Sequence, residues 1–153
     1  MGLKEKIGDD LKAAMKAGDR TRTETLRTIR AALLEKEIEK RGTGSAMGPE
    51  DELGVLSTAS KKRRESIELF EKGGRKDLAD QEGRELAIIQ EYLPKQMSEL
   101  EVKTAILEIV KQTGASSPAD FGKVMPLVMK QLKGKADGRM VQELVRATLG
   151  GQK

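Results

Sequence analysis

The chain has 153 residues, 37% of them hydrophobic and 35% charged, with one Tyr, two Phe and a formal charge of +4. It contains neither His nor Cys, which excludes a Ser-His-Asp triad, a Cys-His pair, a disulfide and any imidazole or thiolate metal site. The charge is unevenly spread: up to Pro94 there are 19 basic and 19 acidic residues, whereas from Lys95 there are 10 basic and 6 acidic, so any net field belongs to the second part.

Taken in order, the apolar residues recur at three and four, the helical spacing, and no segment alternates as a strand does. Leu3, Ile7, Leu11, Ala14 and Met15 predict a first helix ending at Gly18. Leu26, Ile29, Leu33, Leu34 and Ile38 predict a second, up to Arg41. Pro49 followed by Glu50, Asp51 and Glu52 reads as a helix start, with proline in the first turn and acids at the positive end of the dipole. The seam of this third helix, Leu53, Leu56, Ser60, Arg63, Ile67 and Phe70, turns polar in its middle, and Gly73 and Gly74 are expected to end it by supplying positive φ. A fourth helix carries Leu78, Glu82, Leu86, Ile89 and Leu93 and is stopped by Pro94, so that helices three and four form an antiparallel hairpin. Arg63 is expected to pair with an acid such as Glu82 across it.

Beyond Pro94, Ser98 with Glu101 matches a capping box for a fifth helix, whose face is Val102, Ile106, Ile109 and Val110. Gly114 ends it, and Ser117, Pro118 and Asp120 open a sixth, in which Pro126 is expected to introduce a bend. Asp137 caps a seventh, with Val141, Leu144, Val145 and Thr148 facing inward. The expected fold is all-α: a four-helix N-terminal domain with a long hairpin over residues 1–94, then a three-helix domain over 95–153.

Candidate chemistry is sparse. The consecutive Lys61, Lys62, Arg63 and Arg64 point around a helix rather than along one face, and read as solvated charge with partners four residues away. Gly114, Ala115, Ser116 and Ser117 have the look of an amidase nucleophile loop but sit between two helices as caps. Asp77, Asp80, Glu82 and Glu85 are spread along a helix among arginines and lysines, so no metal site is assigned there. The informative segment is Lys123 to Arg146, where Lys123, Lys130, Lys133, Lys135, Arg139 and Arg146 face only Asp137 and Glu143, with Gly134 and Gly138 in the turn. Glycines let backbone approach a ligand, and the free N–H groups opening helix seven are a place for a phosphate. Without an aromatic cluster, RNA would be read by its backbone and shape rather than by base stacking.

Several stretches together resemble the YqeY-like family, relatives of the tail domain of GatB in the tRNA-dependent amidotransferase. They are Thr25-Leu26-Arg27, Lys62-Arg63-Arg64-Glu65-Ser66-Ile67-Glu68, Glu91-Tyr92-Leu93-Pro94, Gly122-Lys123-Val124-Met125 and Gly134-Lys135-Ala136-Asp137-Gly138-Arg139. The resemblance implies a tRNA-binding appendage without the catalytic machinery, with an amidotransferase or another translation protein as partner and no cofactor. The expectation is a cytoplasmic accessory without membrane association, because the longest apolar runs, Ala31 to Leu34 and Leu86 to Ile89, are far too short to cross a bilayer. RNA contacts are expected at Lys123, Lys130, Lys133, Gly134, Lys135, Arg139 and Arg146. Two other readings stand beside it, a carbon-nitrogen ligase taking glutamine nitrogen to misacylated tRNA and a helical protein-interaction adaptor.

Overall fold

A computed structural model describes residues 2–150, and the regular structure among them is entirely helical. Seven α-helices run in chain order: α1 Leu3–Ala17, α2 Arg20–Gly42, α3 Pro49–Lys72, α4 Lys76–Gln90, α5 Glu99–Thr113, α6 Phe121–Leu132 and α7 Gly138–Leu149, with a 3₁₀ turn at Pro118–Asp120 before α6. The chain divides into two compact units, Met1–Pro94 and Lys95–Lys153.

In the first unit the core is Ile7, Leu11, Ala14, Leu26, Ile29, Leu33, Leu56 and Ile89, drawn from all four helices. Gly18 takes a left-handed φ of 71° and lets the chain turn from α1 into α2, where the Asp19 carboxylate accepts from the Arg22 N–H and caps the new helix. The third and fourth helices form the antiparallel hairpin expected from their stripes. Its far half holds little hydrocarbon: Ser60 is buried, and Arg63 reaches Glu82 at 3.4 Å and Glu85 at 3.7 Å. The closer pair is an ion pair by distance, but Arg63 Nε and Glu82 Oε2 are not aligned as donor and acceptor.

The ends of the third and fourth helices differ from the sequence reading. Gly73 keeps a negative φ of −84°, and Gly74 alone supplies the left-handed turn after α3, with φ 72°. The fourth helix stops at Gln90, before Leu93. Pro94 has no N–H to give to the Gln90 carbonyl, and the preceding residues tighten instead: Glu91, Tyr92 and Leu93 donate to Ile88, Ile89 and Gln90, three residues back. This tightened exit is fastened in its own unit, as Tyr92 donates its hydroxyl to Asp10 and Arg22 grips Glu91 with two hydrogen bonds of 2.9 and 3.1 Å.

The second unit has its own core of Val102, Ala105, Ile106, Ile109, Val124, Val128, Leu132, Val141, Val145 and Leu149. The inward residues of α6 and α7 are each four apart, which gives two narrow apolar stripes and leaves the opposite faces to water. Ser98 and Glu101 close the capping box that opens α5, and the Asp120 carboxylate accepts from the N–H groups of Ser116 and Ser117. Those backbone donors hold the Asp120 carboxyl below the usual aspartate range. The sixth helix runs unbroken through Pro126. The proline is on the exposed side, as is Gly122, whose carbonyl loses the bond that the missing N–H would have given.

A cationic turn between the sixth and seventh helices

The expected RNA-contact residues fall into two groups along the α6–α7 hairpin. Lys130 lies in the last turn of α6, Lys133 is its C-cap, Gly134 and Lys135 form the turn, and Arg139 lies in the first turn of α7. Lys123 and Arg146 belong to the opposite end. Ten residues of helix separate Lys123 from Lys133, about 15 Å along the axis at 1.5 Å per residue. Lys123 and Lys130 are two turns apart and share the outer side of α6, away from Val124 and Val128.

At the turn the backbone is tightly specified. Gly134 has φ 77°, a conformation that costs side chains with a Cβ about 1–2 kcal/mol. The Lys135 N–H bonds back to the Leu132 carbonyl at 2.9 Å. Two residues that periodicity does not single out hold the turn from outside: the Gln96 side-chain amide donates to the Gly134 carbonyl at 2.8 Å, and the Met97 N–H donates to the Lys135 carbonyl at 2.8 Å. The segment leading into α5 thus acts as a brace under the turn. Their backbone and amide groups carry no sequence signal of such a role.

Lys130, Lys133 and Lys135 are exposed, and none belongs to an ion pair among the described residues. The other members are partly occupied. Lys123 reaches the Thr113 carbonyl at 3.4 Å, beside the end of α5. The Arg146 guanidinium sits 5.1 Å from the centre of the Phe121 ring, a cation-π distance. Glu143 follows Arg139 by four residues and precedes Arg146 by three, which places a carboxylate on the same side of α7 as both.

The opening of α7 differs from the free phosphate cradle expected of it. Asp137 is its N-cap, and its Oδ1 accepts from the Arg139 N–H at 3.2 Å. A carboxylate of the protein itself therefore occupies the positive end of the helix, and the attraction for an anion passes to the lysine ammonium groups. Gly138 is not required by crowding, since an added Cβ would meet Met129 Cε at an ordinary 3.7 Å.

Elsewhere, carboxylates that could suggest a metal are already in use. Asp77 binds Arg75, while Glu82 and Glu85 flank Arg63, and no group of three or more acidic residues poised to hold a metal occurs among the described residues. No described helix is long and apolar enough to cross a membrane.

Comparison with known proteins gives a consistent kinship. Three relatives all carry the name Altered inheritance of mitochondria protein 41, mitochondrial. The protein from Eremothecium gossypii is 40% identical over 57% of this chain and 46% of its own length. That from Lachancea thermotolerans is 33% identical over 72% and 59%, and that from Kluyveromyces lactis 29% identical over 93% and 73%. The chain thus spans about half the length of the first two relatives and rather more of the third. These names overturn the cytoplasmic location expected from the sequence. That expectation came with the family resemblance and the shortness of the apolar runs, neither of which distinguishes one aqueous compartment from another. The family model for Yqey-like proteins matches residues 4–149, nearly the whole chain, and the chain belongs to the YqeY-like family.

Proposed function

We propose that this protein is a non-catalytic RNA-binding accessory that holds the phosphate backbone of a tRNA through the α6–α7 turn. The observation that carries the reading is the trio Lys130, Lys133 and Lys135, exposed around a braced turn and without carboxylate partners among the described residues. Lys123, Arg139 and Arg146 extend the surface along the hairpin, and Gly134 gives the turn its shape. Ammonium groups on a fixed backbone suit phosphates spaced along a strand, and they carry no base code, so the expected recognition is of shape and charge. The likeness of this turn to the tail of GatB supports tRNA as the RNA class.

The test is binding of unmodified tRNA by the full chain and by the K130A/K133A/K135A variant at a series of salt concentrations. Each phosphate contact contributes about 0.7–0.9 to the slope of log affinity against log salt, so removing three should flatten it by about 2 to 3. An unchanged slope in a folded variant would remove the assignment of this surface, and no salt-sensitive binding by the wild type would remove the function itself.

A further inference from the structure

The second helix carries an apolar stripe that its own unit does not use. It buries Leu26, Ile29 and Leu33, yet Leu34 is 48% and Ile38 58% exposed, with the small Ala31 one turn earlier on the same outer side. Met15 of α1 is half-exposed beside it, at a groove of about 620 Å³ that includes Arg27 and Arg30. The outer positions are Arg27, Ala31, Leu34, Ile38 and Arg41, separated by four, three, four and three residues, the repeat of a coiled-coil seam. In that repeat Ala31 and Ile38 take the a positions and Leu34 a d position. Among parallel coiled coils, a β-branched residue at a with Leu at d, as at Ile38 and Leu34, favours two strands over three or four.

The flanks fit the same arrangement. Arg30 occupies the g position before Ala31, and Glu35 the e position after Leu34. Both are exposed, and neither is in an ion pair among the described residues. In a parallel pair a g residue lies opposite the e residue five further along the other helix, so Arg30 of each copy meets Glu35 of the other, twice about one two-fold axis. The arginines at the seam's ends have contacts that draw them aside: Arg41 bonds Glu37 at 2.9 Å, and Arg27 lies 3.7 Å from Met15 Sδ.

We propose that the outer face of α2 pairs two copies of this chain in parallel, with Leu34 and Ile38 as its apolar centre and reciprocal Arg30–Glu35 contacts fixing the register. The seam is short, so the dimer is concentration-dependent, and it shares no residue with the RNA surface.

Sedimentation of nuclease-treated full-length protein over rising concentration should approach twice the 16.8 kDa chain mass. The L34E/I38E variant should stay monomeric throughout with an unchanged helical circular dichroism spectrum, since both side chains are already exposed. R30E and E35R should each weaken the dimer several-fold, and R30E/E35R together should restore it, which a merely apolar patch would not do. The chain has no cysteine, so I38C provides a clean probe: mild oxidation should link two copies through position 38, which a parallel register places side by side. A wild type that remains monomeric at every concentration, a charge swap that fails to restore pairing, or a dimer that I38C cannot link would each overturn the proposal.

Discussion

Arg63 in the α3–α4 hairpin offers a direct test of how the first unit is held together. Its side chain is 19% exposed and stands between Glu82 at 22% and Glu85 at 21%, where a purely apolar seam would carry a leucine. Burial pushes the Glu85 carboxyl above the usual range, Arg63 opposes that rise, and Glu82 and Glu24 add to it. Replacing Arg63 by Met keeps much of the stem and removes the cation, leaving acids close together with little water. Breaking a fully buried pair costs about 3–5 kcal/mol, and the water that remains here brings the expected loss to about 2 kcal/mol at neutral pH. For a unit of under about 100 residues this is a fall of about 8 to 16 °C in melting temperature. The pH dependence identifies the cause. A carboxyl whose folded pKa is raised favours the folded state below its unfolded value, about 4.3, and that advantage is lost as pH climbs through the folded pKa. Without Arg63 the Glu85 proton is held more tightly, so the R63M deficit should shrink between pH 7 and pH 5. Circular dichroism melts of both proteins at the two pH values measure it. An equal deficit at both, or none at pH 7, would show that the charge of Arg63 does not stabilise the hairpin.

Other consequences are simpler to read. Gly134→Ala forces a Cβ into a left-handed backbone and should destabilise the second unit by about 1–2 kcal/mol, seen as a lower melting temperature. Asp120→Ala removes the acceptor for two backbone N–H groups and should lower the melting temperature at pH 7. Because the Asp120 pKa is depressed, its contribution is present above about pH 4 and lost as pH falls through the folded value, so the same variant should match the wild type at strongly acidic pH. Tyr92→Phe leaves Asp10 without the hydroxyl and should cost about 1 to 2 kcal/mol, measurable by urea denaturation.

The sequence was most legible where local chemistry decides the structure. Gly18, Pro49, Ser98 with Glu101, and Asp137 mark helix boundaries because each satisfies or removes backbone groups within a few residues of itself, and all sit at those boundaries. The pairing of Arg63 with Glu82 was also readable, since a charged residue on an otherwise apolar stripe needs a partner on the facing helix. Leu34 and Ile38 were different. They continue the stripe of α2 by spacing, yet the helix turns them outward, because α1 and the α3–α4 hairpin cover only the Leu26, Ile29 and Leu33 side. Periodicity reports an apolar face but not whether the chain itself covers it. The brace of Gln96 and Met97 under the cationic turn was equally out of reach, since it joins residues far apart in sequence through backbone carbonyls.

The basic excess of the second unit follows from where its acids are placed. Of its six carboxylates, Glu101, Asp120 and Asp137 accept backbone N–H groups at helix starts, and Glu99 pairs with Lys103 at 3.7 Å. Acids held in this way are compensated by helix dipoles, so they do not screen cations at the other helix ends. Lys130 and Lys133 have an ordinary structural explanation as well, because they lie at the negative end of α6 and would be favoured there without any ligand. Lys135 has no such explanation. It lies past the turn, just ahead of the positive end of α7, and its backbone carbonyl rather than its ammonium group is what braces the fold. A lysine that the dipoles do not favour and the fold does not use is the position where stability and RNA binding come apart. Lys135→Ala should therefore leave the melting temperature unchanged while reducing the salt slope by about one contact.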